Sequence, residues 1–397
     1  MHRQGGRLEL VDALRGFAIA SIMLLHNIEH FDLMHRPDGQ PAWLTGLDRG
    51  VWDTLFFLFG GKSYAIFALL FGVTFHLQFS ARAARGEAFR LRFAWRMVLL
   101  LAFGLVNSLF YQGDILSLYA VLAFALLPVA RLRDGAVLAI AALLLLQPAA
   151  LVAIAQAMPQ PAATLPDPAS WAYFGRSTAY LAHGSLWDVF AGNLTNGKTG
   201  VIRWSFENGR LFQIPALFMV GMVAARRELF AVSDASRRFW RRVLPLAVAA
   251  FVALYLVRVN LGSWIAAEGL RRPVAVIVES WSNLALMVVL VGVFSLLFLA
   301  GAPARWLMRL APLGRMSLTS YVLQSLVGTS LYYGFGLGLY QVTGATVCLL
   351  IGIALALAQG ALSAWWLRHH RQGPLEALWH RATWLGAPRP VMAPSAG

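Results

Sequence analysis

The sequence VDALRGFAIASIMLLHN, residues 11–27, has the length and apolar character of a membrane-crossing helix. It carries Asp12 and Arg15 at one end and His26 and Asn27 at the other. Ionisable side chains are costly inside a bilayer, so where they occur they usually have a partner or a function. This stretch therefore predicts a transmembrane helix whose two ends carry separate polar groups.

The rest of the chain extends this pattern over 397 residues, of which 59% are hydrophobic and 13% are charged. A soluble protein of this length could not bury so much apolar surface. Apolar runs of membrane-spanning length fall near residues 10–29, 54–79, 97–112, 115–130, 135–157, 209–225, 243–261, 274–300, 316–337 and 344–367. We therefore predict an all-α polytopic membrane protein with about ten transmembrane helices.

Arginine residues cluster after every second apolar run, which is the pattern that sets the orientation of a membrane protein. All the clusters lie on one side of the bilayer if both termini share that side, so we expect both termini in the cytoplasm. This placement makes the lipid bilayer the partner of the arginines. It explains the net charge of +15 without nucleic acid, which we exclude as a partner.

We interpret residues 1–397 as a single integral-membrane domain with two five-helix halves, 1–157 and 209–397. Between them lies an extracytoplasmic segment, 158–208, which lies on the membrane surface, covers a cavity or serves only as a spacer. The charges near the N-terminus and the lack of a cleavage site after His26 favour a retained first helix over a signal peptide. The single cysteine, Cys348, excludes an intrachain disulfide and a cysteine metal cluster.

One face of the first helix presents Arg15 and, about three turns later, His26, roughly 16 Å away along the axis. Arg15 could pair with Asp12 or reach lipid head groups, whereas these structural roles explain His26 less well. Residues 26–30 read HNIEH, the pattern of the inverted zinc proteases. Because the pattern is short and lacks its usual context, we expect no metal.

Other polar residues are candidates to share a cavity with His26. Gly60–Gly61 is expected to break the second span and to place Lys62 where it could meet an anion. Asp114 could cap a helix or orient a histidine base. Glu207 could form a structural ion pair with Arg210. The residues expected to contact a substrate are Asn27, Asn107, Gln112, Tyr119, Arg210, Gln213, Tyr321 and Gln324.

Several motifs occur in order along nearly the whole chain. They are VDALRGFAI (11–19), GGKSYAIFALLFG (60–72), GDILSLYA (113–120), the run from IRW to IPALFMVGM (202–222), PLGRMSLTSYVLQS (312–325) and GPLEALWHRATW (373–384). In these motifs the chain resembles the YeiB-like family, which carries a domain of unknown function 418. The resemblance implies a multi-pass protein of the bacterial inner membrane whose activity is poorly defined.

The first helix of this family is similar to that of integral-membrane acyltransferases of the acyltransferase-3 and heparan glucosaminide acetyltransferase types. Such enzymes are understood to pass an acyl group from cytoplasmic acyl-CoA to an acceptor across the membrane. In the acyltransferase-3 type a histidine follows the LRG motif at about the distance that separates LRG at 14–16 from His26 here. Many YeiB-like chains have asparagine there and a histidine in the third span, whereas this chain has His26 and Asn107.

The resemblance implies a transmembrane acyltransferase that moves an acyl group, most simply acetyl, from acyl-CoA to an envelope glycan or lipid. His26 would be the general base or the transient acyl acceptor, oriented by Asp114 or Glu207. The alternative is a transporter or channel for a small anionic or lipid-linked substrate. The sequence does not decide whether the chain forms a homo-oligomer. The cations expected to hold the phosphates of acyl-CoA are Arg15, Lys62, Arg92 and Arg96.

Overall fold

The computed structural model describes residues 8–31, 33–85 and 89–385, and the regular structure within them is helical. The helices of the first half are α1 (Glu9–His26), α2 (Ala42–Phe59), α3 (Ser63–Ala83), α4 (Arg90–Phe110), α5 (Leu116–Leu122), α6 (Leu126–Val129), α7 (Asp134–Leu145) and α8 (Pro148–Ala157). The middle segment contains α9 (Ala169–His183), α10 (Leu186–Gly192) and α11 (Lys198–Glu207). The second half contains α12 (Arg210–Arg226), α13 (Asp234–Trp264), α14 (Glu268–Leu299), α15 (Ala304–Leu307), α16 (Ala311–Arg315), α17 (Ser317–Tyr332), α18 (Ala345–His369) and α19 (Pro374–Thr383).

The predicted all-α class is confirmed, and each of the ten apolar runs is largely helical. Within the described residues, six helical stretches are long and apolar enough to cross a membrane, or seven if α7 and α8, which are bent by 41°, form one span. The other three runs correspond to the joined α5–α6, to α12 and to α17. The last two have 17 and 16 residues, about 25 Å of helix against a hydrocarbon core of about 30 Å. The predicted number of ten spans is therefore not confirmed.

Contacts between helices bring the arginine clusters to one end of the bundle, which we call the arginine-rich end. Arg226 pairs with Asp134 at 3.2 Å and joins α12 to α7. Arg237 donates to the Leu299 carbonyl and joins α13 to α14. The C-terminal α19 packs against the first turns of α4 at the same end.

The opposite end of the bundle is covered by α9, α10 and α11, which we call the helical cap. Ser185 begins α10 with a capping box, in which its Oγ accepts from the Asp188 N–H and its own N–H donates to the Asp188 carboxylate at 2.8 Å. Hydrogen bonds from the Ser185 hydroxyl and N–H lower the pKa of the Asp188 carboxyl. Asn193 donates to the Leu109 carbonyl at 2.9 Å and ties the cap to α4. Residues 169–207 thus form a folded layer on the bundle.

Glycines allow α3 and α12 to run parallel in direct backbone contact. A Cβ on Gly72 would meet the Phe218 carbonyl, and a Cβ on Gly221 would meet the Leu69 carbonyl. Small residues at helix crossings give membrane helices close van der Waals contact. This crossing places the first turn of α3 beside the first turn of α12.

Replacing Gly221 with alanine is expected to destabilise the fold by about 1–3 kcal/mol, because the added methyl group meets backbone that cannot move aside. Gly262 on the exposed face of α13 is the control, since a Cβ there has no neighbour within 4 Å. Alanine at 262 is expected to be neutral or stabilising by up to about 1 kcal/mol. Thermal unfolding of both variants in one detergent compares them, and equal midpoints would contradict the packing argument.

Candidate functional site

A cavity of about 930 Å³ lies between the helices below the helical cap, and we call it the His26 cavity. Its walls come from the C-terminal end of α1, from α2, from the first turn of α3, from the 111–115 turn, from α9 and α11, and from α12, α13 and α14. Ligand pockets commonly have volumes of roughly 300–1,000 Å³. The cavity can therefore hold a small molecule or the reactive part of a larger one.

His26 lies in the cavity wall at the last residue of α1. Its ring centroid is 4.8 Å from that of Tyr111 and 6.1 Å from that of Tyr321, and both tyrosines also line the cavity. The Tyr321 hydroxyl accepts the Ile115 N–H at 3.2 Å, which leaves its own proton available to donate. Glu29 lines the cavity close to His26 in the π-helical turn that follows α1. The imidazole is thus held between two phenol rings and faces the cavity.

The break between α2 and α3 places Lys62 in the same cavity, as predicted from Gly60–Gly61. Gly61 has a positive φ of 76°, and a Cβ there would lie 2.7 Å from Nδ2 of Asn283, so the turn requires glycine. Lys62 is only 4% exposed, and its Nζ donates to the Phe56 carbonyl at 3.3 Å. In the described part of the chain no carboxylate forms an ion pair with it.

Arg210 forms a second cationic wall of the cavity. Its guanidinium lies 3.8 Å from the ring centroid of Trp204 and 4.2 Å from that of Tyr64. The ion pair with Glu207 that the sequence suggested is not formed among the described residues. Glu207 instead accepts hydrogen bonds from the backbone N–H and the hydroxyl of Ser170 at the start of α9. It is therefore part of the cap and does not line the cavity.

The wall formed by α13 and α14 carries an ion pair that the sequence analysis did not single out. Arg258 and Glu279 are 3.1 Å apart, and their side chains are 42% and 49% exposed. Each is a charged residue inside a predicted apolar run, and intramembrane charges are functional candidates by default. That signal was present in the sequence and could have identified both residues.

Gln213 lines the cavity and connects α3 to α12 and α14. The Tyr64 hydroxyl donates to Oε1 of Gln213, and Nε2 of Gln213 donates to the Ser280 hydroxyl at 3.1 Å. Tyr119 lies deeper, where its hydroxyl donates to the Tyr64 carbonyl at 2.6 Å. Tyr119 therefore supports the cavity wall without lining the cavity.

Asp114 is fully buried and is not among the residues that line the cavity. One carboxylate oxygen accepts from the Asn107 amide at 3.0 Å. The other accepts from the Ser117 N–H at 3.0 Å and the Ser117 hydroxyl at 2.8 Å, and it pairs with Lys198 at 3.4 Å. Because these donors occupy both oxygens, Asp114 and Asn107 hold α4, α5 and the cap together. The neighbouring Gln112 does line the cavity.

Asn27 and Gln324, both expected to contact a substrate, are buried in the bundle away from the cavity wall. The Asn27 amide donates to the Met23 carbonyl at 2.8 Å and accepts from the Tyr332 hydroxyl at 2.9 Å. The Gln324 amide donates to the Ile19 carbonyl at 3.3 Å. These contacts connect α1 to α17 and stabilise the end of α1 that carries His26.

Arg15 lies toward the arginine-rich end. It pairs with Asp12 at 3.1 Å, as the sequence suggested, and it donates to the Thr74 hydroxyl at 2.8 Å and the Gly314 carbonyl at 3.3 Å. The cavity does not extend to Arg15. In this structure Arg15 joins α1 to α3 and α16.

Arg92 and Arg96 contact the C-terminal α19 and the residue that follows it. Arg92 donates to the Thr383 carbonyl at 2.6 Å and lies 4.8 Å from the ring centroid of Trp384. Arg96 lies 4.1 Å from the ring centroid of Trp379. These two arginines are at the opposite end of the bundle from Lys62. The four cations expected to hold acyl-CoA therefore do not form one site in this structure.

The predicted site residues thus separate into two sets. Those that share the His26 cavity are His26, Lys62, Gln112, Arg210, Gln213 and Tyr321. Those placed elsewhere are Arg15, Asn27, Arg92, Arg96, Asn107, Asp114, Tyr119, Glu207 and Gln324.

The HNIEH pattern falls partly outside the described residues, because the side chain of His30 is not described. The described residues contain no group of three or more His, Cys, Asp or Glu side chains suited to a metal ion.

Comparison with known proteins supports the resemblance seen in the motifs. Residues 224–386 match the family described as "Protein of unknown function (DUF418)". The chain is 27% identical to "Uncharacterized protein YxaH" of Bacillus subtilis (strain 168), covering 96% of this chain and 94% of that protein. It is also 27% identical to "Uncharacterized protein YeiB" of Escherichia coli (strain K12), covering 94% of this chain and 95% of that protein. No solved structure matches the chain.

A shorter similarity covers about a third of the chain. Over 127 residues it is 32% identical to an uncharacterized 39.9 kDa protein encoded in the amylase 3′ region of Bacillus acidopullulyticus, covering 32% of this chain and 35% of that protein. The names of these three relatives state no activity.

Proposed function

We propose that this chain, a YeiB-like protein with a DUF418 region, is an acyltransferase of the bacterial inner membrane. It crosses the bilayer about ten times with both termini and the arginine-rich end in the cytoplasm. It moves an acyl group, in the simplest case acetyl, from cytoplasmic acyl-CoA to an envelope acceptor in the His26 cavity. The observation that carries the proposal is the imidazole of His26 in the wall of a 930 Å³ cavity under the helical cap.

The chemistry assigned to His26 is general base catalysis. A ring nitrogen of His26 takes the proton of the acceptor hydroxyl or amino group while that oxygen or nitrogen attacks the carbonyl carbon of the thioester. A new C–O or C–N bond forms, the C–S bond breaks, and the leaving CoA thiolate takes the proton back from the imidazolium. The Tyr321 hydroxyl donates to the carbonyl oxygen as it gains negative charge.

The path of the donor requires a conformational change. The buried side chains of Ile19 and Ile22 occupy the α1 face between Arg15 and His26. A thioester that comes from the arginine-rich end therefore reaches His26 only after this apolar layer opens. Roles for Arg15, Arg92 and Arg96 in holding the phosphates of the donor stay predictions, and Lys62 and Arg210 face the acceptor in this proposal.

The second candidate function is transport of a small anionic or lipid-linked substrate. It is favoured by the position of the cavity, which lies under the cap, does not extend to Arg15 and borders a helix broken at Gly60–Gly61. Broken helices beside a central site are typical of alternating-access transporters.

Transfer of a labelled acyl group separates the two functions. Membrane vesicles that contain the wild-type chain are given [14C]acetyl-CoA and an envelope extract, and the lipid and glycan fractions are counted. The proposal expects label in one of these fractions above vesicles that lack the protein. Label that stays entirely in acetyl-CoA contradicts it, and uptake of an unmodified envelope compound supports the transporter.

A further inference from the structure

The wall of the His26 cavity between α2 and α13 is closed by three aromatic rings. Phe57 on α2 has its ring centroid 5.9 Å from that of Phe251 and 5.9 Å from that of Tyr255, both on α13. All three line the cavity. α13 packs chiefly on α14, and α2 packs on α1 and α18, so these ring contacts connect two helices that otherwise pack mainly on other partners. We call the three rings the aromatic portal.

The aromatic portal lies near the middle of the long apolar helix α13, which places it at the level of the hydrocarbon core when α13 spans a bilayer. Phe251 is near the middle of α13, whose apolar stretch is only 6% buried. The apolar side chains around it on α13 are exposed, among them Val252, Leu256 and Val259. In a bilayer this surface contacts lipid tails. A hydrocarbon chain can therefore pass from the bilayer into the cavity by displacing a few side chains.

Lys62 and Arg210 supply positive charge at one end of the cavity, which we call the inner end. Of the carboxylates that line the cavity, Glu279 is paired with Arg258, Asp53 lies 3.9 Å from Arg49 at the exposed rim, and Glu29 lies near His26. Lys62 and Arg210 form no ion pair with a described carboxylate. A nearly buried cation in a membrane protein is costly unless an anion or strong acceptors surround it.

Two further groups of the cavity wall are polar. Oε1 of Gln112 is buried and has no hydrogen-bond partner among the described residues. The first turn of α3, whose N–H groups have no partners within the helix, begins at the cavity wall with Ser63. The cavity can therefore bind an anionic group at Lys62 and Arg210, while its wall offers further hydrogen-bonding groups to the rest of the ligand.

We propose that the acceptor is an anionic amphipathic lipid, with its phosphate head group at Lys62 and Arg210 and its hydrocarbon chain in the aromatic portal between α2 and α13. A water-soluble glycan would have to come through the helical cap, whereas a lipid reaches the cavity from the bilayer. The acceptor role rests on the proposed function, while the binding site rests on the cavity alone.

Lipid binding to the purified full-length chain tests the site. Phosphatidylglycerol is titrated in detergent and the bound fraction is measured by native mass spectrometry. We expect saturable binding that weakens roughly tenfold or more in Lys62→Met and in Arg210→Gln, because each loses a charge-assisted contact. Diacylglycerol and sn-glycerol 3-phosphate, which lack the charge and the chains respectively, are expected to bind at least tenfold more weakly. Equal binding of either one overturns the proposal.

The path of the chain is tested by photo-crosslinking. Phosphatidylglycerol with a diazirine in one acyl chain is expected to label α2 and α13 peptides that contain Phe57, Phe251 and Tyr255. This labelling should fall in Arg210→Gln, while labelling of exposed Leu357 on α18 should not change. If Arg210→Gln does not change the labelling of the aromatic portal, the result contradicts a lipid whose head group is bound at Lys62 and Arg210.

A third variant distinguishes this inference from the proposed function. His26→Ala is expected to bind phosphatidylglycerol within about twofold of the wild type while it loses acyl transfer. Binding that persists in a wild-type chain without any transfer overturns only the acyltransferase. Transfer to a water-soluble acceptor by a chain that does not bind the lipid overturns only the lipid site. Thermal midpoints near that of the wild type show that each variant is folded.

Discussion

Replacement of Lys198 by methionine is expected to destabilise the protein by about 3–5 kcal/mol, because it leaves the Asp114 carboxylate buried without its cation. Asp114 is 0% exposed, and the Lys198 side chain is 14% exposed. Nζ of Lys198 also donates to the Ser108 hydroxyl at 3.2 Å, to the Asp114 carbonyl at 3.2 Å and to the Ser117 hydroxyl. This one lysine therefore connects the helical cap to α4 and α5. Chemical unfolding in detergent measures the decrease in the free energy of unfolding.

Two control variants distinguish the stability lost through the unpaired buried charge from a general destabilisation of the helical cap. The double variant Lys198→Met with Asp114→Asn removes both charges and is expected to recover a large part of the lost stability. Thr199→Ala, at a partly exposed position of the same helix whose hydroxyl donates to the Thr195 carbonyl one turn earlier, is expected to change stability by less than about 0.5 kcal/mol. A double variant no more stable than Lys198→Met alone would show that Asp114 is not the reason for the loss.

Replacement of His26 by alanine is expected to reduce acyl transfer by a factor of about 10²–10⁴, which is the usual contribution of a positioned general base. The fold should survive, because the end of α1 is held by Asn27 through Met23 and Tyr332 and not by the imidazole alone. The rate is measured as release of free CoA thiol from acetyl-CoA in the presence of the acceptor.

His183 provides a matched control for that variant. It lies at the exposed end of α9 in the helical cap and is not part of the cavity wall. His183→Ala is expected to retain the wild-type rate within about twofold. Equal rates in His26→Ala and the wild type would show that the imidazole takes no part in the reaction, even if the protein transfers acyl groups.

The fold could be predicted from the sequence because hydrophobic runs and helix breakers act locally. The run at 274–300 lies in α14 except for its last residue, and Gly60–Gly61 separates α2 from α3. The number of spans could not be predicted in the same way. Run length does not show that α17 has only 16 helical residues or that α7 and α8 bend by 41°, because such features depend on packing.

The site was predictable in part for the same reason. His26 and Lys62 stood out because a polar group in an apolar run is unusual wherever it is found. Asp114 and Glu207 looked like partners of His26, but their hydrogen bonds to Ser117 and Ser170 are tertiary contacts that spacing does not reveal. Conversely, Arg258 and Glu279 are 21 residues apart in the chain and meet only because α13 and α14 pack antiparallel.

The sidedness of transfer tests the central claim most directly. Sealed inside-out vesicles are given [14C]acetyl-CoA on the outside, where the arginine-rich end is exposed if the termini are cytoplasmic. The account predicts labelled lipid in the inner leaflet, protected from a membrane-impermeant esterase or amidase and absent in His26→Ala vesicles. Label that appears only in the outer leaflet, or that forms equally in wild-type and His26→Ala vesicles, would contradict transfer across the membrane through the His26 cavity.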